Sequence, residues 1–363
     1  MIDLDGSDGG GQLVRTALTL SALGGVPFRM ERVRGDRPNP GLKRQHLACV
    51  EAVAALTDAD VEGAAVGSET LQFDPAVRPG TAGAPDEVAV DIETAGSVTL
   101  VADTLLPLAT QVDGPLGADL TGGTDVRWSP STDYLRGVKL PLLRGFGLNV
   151  DIGVERRGFY PAGGGELGLR LRPSSLDRIE FGPRGEGAAS PDAAVSASVH
   201  AVAADDLGDG DAANKLADAA VTELTDRGIA GDPAVTTASV AADSPGVVVT
   251  VAVDKVSMPG GERKLTPPRA GFVAYGDADD ALPSLAGAAV DRAERWLGTD
   301  APVDTHLADQ LVVWLALAGG GVPIPRVTEH IRTNVDLVST FDYDVSIEEL
   351  AGGPPAIVSS TSR

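Results

Sequence analysis

The chain has a single cysteine, Cys49, among its 363 residues. That excludes an intrachain disulfide framework and a cysteine-built zinc site. Aromatic side chains make up only 4%, so small aliphatic residues must carry the packing. No apolar run approaches the roughly 20 residues needed to span a bilayer, and the first residues do not resemble a signal peptide. The expectation is a cytoplasmic protein with no membrane partner. Lysine occurs only five times, and acidic residues outnumber basic ones 52 to 29, for a net charge of −23. Acidic excess with little lysine suits a cytoplasm of molar salt, where self-repulsion is screened, and so predicts a salt-loving host. In such a medium a local arginine cluster says more about nucleic-acid binding than net charge does.

What the chain has in quantity is glycine (45), proline (25) and runs of Val and Ala, the composition of α/β material. A loose repeat recurs in GGGQLVRTALTLSALGG, GLKRQHLACVEAVAAL, ETAGSVTLVADTLLPL and the segment from Thr305 to Gly321. Each copy has a polar or glycine-rich entry and an apolar helix, usually followed by a turn and a short strand. Several small sheets, each covered by helices on one face, are therefore expected. Composition shifts near residue 180, where a Gly/Ala/Pro/Ser-rich stretch (183–194) begins. Further breaks fall at 259–261 and 267–268. This predicts a main part of residues 1–179 plus 269–363, interrupted by a small α/β insertion over 180–268.

Three stretches carry chemistry. In APVDTHLADQLVVWLALAGGG (301–321) the apolar positions Leu307, Leu311, Trp314, Leu315 and Ala318 recur at helical spacing. Asp304 or Thr305 can cap this helix, which places His306 in its first turn beside unpaired N–H groups. That setting suits a ring nitrogen acting as nucleophile or base, and it suits a bound phosphate. A capping or surface histidine would show the same pattern. At the N-terminus a short strand (Ile2–Leu4) runs into DGS and Asp8, then Gly9, Gly10 and Gly11, and then a helix from about Gln12, with Arg15 one turn in. Glycine N–H groups and a helix start facing one point make an anion cradle, although the loop matches neither a Walker A motif nor a dinucleotide fingerprint. Residues 27–46 hold six Arg and Lys against two acids, among them Arg34, Arg37 and Arg44, with Gln45 following. Guanidinium forks bind phosphate in two-point fashion. Tyr275 and Asp277 are placed to flank a nucleotide by ring stacking and ribose hydrogen bonding, and Asp309 lies one turn beyond His306, where it could orient the ring or assist a metal.

Together, DGS with GGGQLVRTAL, RGDRPNPGLKRQHL, ETAGSVTLV with LLP, GGTD, GFYPAGGGE, THLADQL and HIRTN resemble the RNA 3′-terminal phosphate cyclase family. The resemblance covers residues 3–334 and is weakest over the insertion. It implies an α/β (α+β) fold of repeated βαβαββ-like units interrupted by a small α/β domain. With the acidic composition, it implies an archaeal halophile. It also implies ATP and Mg²⁺ or Mn²⁺, a covalent histidine–AMP adduct on His306, and an RNA ending in a 3′-phosphate as partner. The nucleotide site would comprise Gly9, Gly10, Gly11, Gln12, Asp103, Pro130, Tyr275, Asp277 and Asp309, with Asp8 toward the metal. Arg15, Arg34, Arg37, Arg44 and Gln45 would meet RNA phosphate. A second reading is a non-catalytic cyclase-like RNA-binding factor of ribosomal RNA maturation. Such relatives typically lack the nucleophilic histidine, which this chain keeps.

The chain departs from the family pattern at three points. The glycine loop reads DGSDGGGQ where the family has DGSxGEGGGQ, so two residues are missing, one of them acidic. Asp103 stands where the family has a nucleotide-site glutamine, and it would repel a triphosphate unless a cation bridges them. GDADD replaces the family's Arg-Gly-Lys stretch after the tyrosine.

Overall fold

Among the described residues, sixteen strands are distributed over four sheets of four strands each. The computed structural model describes residues 1–81, 83–181, 195–207, 210–255, 268–349 and 353–360. The first sheet is built from β1 (Ile2–Asp5), α1 (Gly11–Gly24), β2 (Phe28–Glu31), α2 (Arg44–Thr57), β3 (Asp60–Glu62) and β4 (Leu71–Asp74), in strand order β1-β2-β4-β3. The second is built from β5 (Glu87–Asp91), α3 (Val98–Leu105), β6 (Leu116–Gly122), a helical run, β7 (Val150–Arg156) and β8 (Gly165–Leu171). Its order, β5-β6-β8-β7, repeats that of the first. The helical run is α4 (Thr132–Tyr134), a π-helical turn (Leu135–Lys139) and α5 (Leu140–Gly145).

The third sheet starts at β9 (Ile179–Glu180) and is completed only after residue 300. Between lie β10 (Val195–Ala204), α6 (Ala212–Asp226), β11 (Ala234–Val240), β12 (Val247–Lys255), β13 (Arg269–Gly276) and α7 (Leu282–Leu297). The third unit then resumes with α8 (Thr305–Ala318), β14 (Gly320–Pro323), α9 (Glu329–Thr340), β15 (Val345–Glu348) and β16 (Ala356–Ser359). Its strand order is β15-β16-β14-β9.

The alternation read in the repeats becomes burial on one face. In β8, Leu167, Leu169 and Leu171 are buried while Glu166 and Arg170 point outward. Helices of all three units meet one another, α1 against α2 and α9, and α8 against α9, around one continuous core. A second core lies between β10, β12 and β13 and the helices α6 and α7. Strand β12 is covered on both faces, which accounts for its unbroken run of small apolar residues. Val249, Val251 and Val253 face the second core, whereas Ala252 joins the first and Thr250 bonds Ser131 at 2.8 Å. Gly271 on β13 lets the helical run come close, since a Cβ there would sit 2.6 Å from Tyr134 and Val138.

The insertion lies later in the chain than the composition suggested. Glu180 pairs with Gly321 in the third sheet. Residues 269–276 pair antiparallel with β12, and Ala286, Ala289, Val290, Ala293 and Trp296 of α7 pack in the second core. Proline at 267–268 reads as a domain end in the sequence, but Arg269–Gly276 belongs to the same sheet as β12. The stretch 183–194 and the breaks at 259–261 and 267 lie outside the described residues. Among those described, no helix is long and apolar enough to cross a membrane.

Candidate active site

His306 is exposed in the first turn of α8, and the start of that helix is firmly held. Asp304, buried at 3% exposure, accepts the backbone N–H of His306 at 2.9 Å and of Leu307 at 3.0 Å. The same carboxylate accepts the Tyr134 hydroxyl at 2.9 Å and the Gly271 N–H at 3.1 Å. One side chain thus joins the histidine helix to the helical run of the second unit and to β13. Burial pushes the Asp304 carboxyl above the usual range, and burial together with Asp304 pushes the Tyr134 phenol up. The raised phenol pKa keeps the hydroxyl proton on Tyr134, where it can be donated. Asp309 does not bond the His306 ring. It accepts Thr328 Oγ1 at 2.6 Å and lies 3.9 Å from His330, so it ties α8 to α9.

The glycine loop ends at the start of α1. Gly9 and Gly10 are buried and Gly10 occupies the cap position. A Cβ at Gly11 would lie 2.1 Å from His46 Nε2, so the absence of a side chain there is what admits the buried ring. His46 Nδ1 accepts the Lys43 N–H at 3.0 Å and closes a capping box on α2. That bond assigns the ring proton to Nε2, which faces the loop. Burial, with Arg15, Arg34 and Lys43 nearby, holds the His46 pKa down to about 3, so the ring is a neutral donor. Gln12 reaches Thr333 of α9 at 3.5 Å, bringing the loop toward the α8–α9 side.

The arginines divide by task. Arg37 is exposed, with its guanidinium 3.3 Å from where a Gly10 Cβ would be. Arg34 instead spends Nη1 on the carbonyls of Asn39 (2.9 Å) and Gly41 (2.8 Å), shaping the Asn-Pro-Gly turn. Arg44 pairs with Glu93, and Gln45 Oε1 accepts the Ser97 N–H at 3.2 Å. These two contacts anchor α2 to the loop before α3, while the buried Nε of Arg44 is left without a partner among the described residues. Arg15 has no hydrogen-bond partner among the described residues, and burial pulls its pKa down against the opposing influence of Cys49 and Asp103.

Asp103 has its cation. Lys139 Nζ lies 2.7 Å from Asp103 Oδ1, at the end of the π-helical turn. Tyr275 donates its hydroxyl to the Ser129 carbonyl at 2.7 Å, which fixes the ring beside Pro130. Asp277 accepts the Asp279 N–H at 3.1 Å and closes its own loop. Asp8 is exposed, and no group of three or more metal-ligating side chains occurs among the described residues.

The family model for RNA 3′-terminal phosphate cyclase matches residues 7–347. The chain belongs to the RNA 3′-terminal phosphate cyclase family. It is 43% identical to an RNA 3′-terminal phosphate cyclase of Halobacterium salinarum, over 96% of this chain and 97% of that protein. It is 36% identical to one from Ectopseudomonas mendocina, over 94% of this chain and 92% of that one. Against the protein of that name from Thermococcus kodakarensis the identity is 35%, over 98% and 96%.

Within this cyclase-family chain, sequence reasoning missed Lys139, His46, Tyr134 and a buried network. In that network Arg157 bonds Asp125 and Asp133, each at 2.9 Å. Burial pulls the Arg157 guanidinium down, but the two carboxylates outweigh it and hold its pKa above the usual value. The signal was present in part. GGTD supplies Asp125, and Arg157 directly precedes GFYPAGGGE, two turns that are uninformative until they are seen in contact.

Proposed function

We propose that the protein converts the 3′-terminal phosphate of an RNA into a 2′,3′-cyclic phosphate, with His306 as nucleophile and ATP consumed as a substrate. A His306 ring nitrogen attacks the α-phosphorus of ATP, the bond to the β-phosphate oxygen breaks, and pyrophosphate leaves. An oxygen of the RNA 3′-phosphate attacks the same phosphorus, and the phosphorus–nitrogen bond breaks to free the ring. The adjacent 2′-hydroxyl then attacks the 3′-phosphorus, loses its proton, and AMP departs. Covalent catalysis divides one difficult displacement into easier ones, and phosphoryl transfer asks mainly for positioned charge.

The chain's own groups fit these demands. The Asp304 cap fixes the helix end that carries His306. The Gly9–Gly11 loop, His46 Nε2–H, Arg15 and Arg37 offer donors to phosphate, and Pro130, Tyr275 and Asp277 flank the nucleotide. For a divalent ion the fit is poor, because Asp103 is engaged with Lys139 and Asp8 stands outside any ligand cluster. A Mg²⁺ ion near phosphates usually keeps several waters and takes one or two carboxylates, so the protein alone does not define its place. No step is assigned to it.

The exposed His306 on a rigidly capped helix is the observation that carries this reading, and it favours catalysis over a purely RNA-binding role. The test uses an oligonucleotide with a labelled 3′-phosphate, incubated with ATP in molar KCl with Mg²⁺ or Mn²⁺. The label should become resistant to phosphatase with wild type and stay sensitive with His306→Ala. A label that stays sensitive with wild type under both metals would reject the reading.

A further inference from the structure

The helical run of the second unit crosses the face of the insertion sheet opposite α6 and α7, from Gly271 on β13, past Thr250 on β12, to His200 on β10. Beyond it, over β10 and the edge strand β11, a crevice of about 410 Å³ opens. Its walls carry Asp133 and Arg136 from the helical run, Arg157, His200, and the exposed hydroxyls of Thr236 and Thr237. Neighbouring strands lie about 4.8 Å apart, so the crevice is roughly 10–14 Å along the sheet from the strand that holds Tyr275.

Two groups in it are unfinished. The Asp133 side chain is 9% exposed and gives Oδ1 to Arg157, while its buried Oδ2 has no partner among the described residues. A buried acceptor left unpaired is costly, and a donor from outside the chain would relieve that cost. Arg136, three residues on and exposed, has no hydrogen bond or ion pair among the described residues, in a chain where acids outnumber bases 52 to 29. Arg136 lies in the π-helical turn Leu135–Lys139, directly after the turn that carries Asp133, and such turns are frequent at functional sites.

Charge narrows the occupant. A bare cation would meet Arg136 and Arg157 beside the carboxylate, and a simple anion would meet Asp133. An apolar molecule would leave both groups unpaired. A nucleotide supplies both complements, an anionic phosphate oxygen for Arg136 and an amino or hydroxyl proton for Asp133 Oδ2. We propose that this crevice is a second RNA subsite, which holds an internal nucleotide of the strand whose 3′ end lies at His306. The inference rests on the reading that the protein acts on RNA ends. It also answers a problem of charge. A chain of net charge −23 in high salt gains little from long-range attraction, so its RNA affinity must come from discrete contacts.

The test is fluorescence anisotropy in molar KCl with a 3′-phosphorylated dinucleotide and a longer oligonucleotide of the same end sequence. Wild type should bind the longer strand more tightly. Arg136→Ala and Asp133→Asn should each weaken the longer strand by about tenfold, the loss expected for one hydrogen bond to a charged group. Arg136→Ala should leave dinucleotide affinity and labelling by ATP unchanged. A photoreactive internal nucleotide should crosslink to the peptide containing Arg136 or to β11. Wild-type affinity for the longer strand in both variants, or crosslinks confined elsewhere, would overturn the subsite while leaving the end reaction standing. A wild type that labels with ATP yet binds neither RNA would overturn the subsite and the RNA reading together.

Discussion

Lys139 Nζ and Asp103 Oδ1 lie 2.7 Å apart, with side chains only 3% and 11% exposed. Arg15 stands within electrostatic reach of both, so two cations surround one carboxylate and the neighbourhood stays favourable to phosphate. Burial pulls the Lys139 ammonium down in pKa while Asp103 supports it. Breaking such a pair from one side leaves a buried charge, at a cost of about 3–5 kcal/mol. Lys139→Met should therefore lower the melting temperature and weaken ATP labelling, because Asp103 then keeps only Arg15 to offset its charge. Asp103→Asn should keep or tighten ATP binding, since the cations remain. The double variant should recover most of the stability lost in Lys139→Met. Thermal melts and ATP titrations of the four proteins check this coupling.

Arg34 and Arg37 are equivalent in the sequence and different in the fold. Arg37→Ala should weaken RNA binding by about tenfold, a loss of one charged contact, and leave the melting temperature unchanged. Arg34→Ala should also destabilise the protein, by about 1–2 kcal/mol, because it releases two backbone carbonyls of the 39–41 turn. Anisotropy and melts on both variants separate the roles. Equal melting temperatures would contradict the assignment.

His46 makes stability depend on pH with a definite sign. Its pKa is about 3 in the fold against an ordinary value of 6.5, so between these values the unfolded chain binds more protons. Stability from this group is full above about pH 6.5 and falls as pH drops toward 3, by up to about 1.4 kcal/mol per pH unit. His46→Gln keeps an acceptor for the Lys43 N–H but cannot titrate. Its stability should fall less steeply than that of wild type across this window, as read by melts at a series of pH values. Parallel curves would contradict the buried neutral ring.

Much of this was legible from residue patterns, for identifiable reasons. Helical spacing and a capping aspartate located α8 and put His306 in its first turn, because local rules govern helix starts. The small sheets with helices on one face followed from repeated entry-and-helix segments. The end of the insertion was misplaced because proline at 267–268 breaks a strand pair as readily as it ends a domain. The Asp103–Lys139 pair spans 36 residues and the Tyr134–Asp304 bond spans 170, so only the packed chain reveals either one. Arg44 and Gln45 sit in a basic run that suggested RNA, and their further contacts with Glu93 and Ser97 before α3 are not visible in the sequence.

The most direct measurement is intact-protein mass after incubation with ATP and Mg²⁺ or Mn²⁺ in molar KCl, beside a His306→Ala control. Wild type should gain the mass of one AMP, the control should gain nothing, and acid should release the adduct as a phosphorus–nitrogen bond does. An unchanged wild-type mass under both metals, or an equal gain in the control, would contradict His306 as the nucleophile.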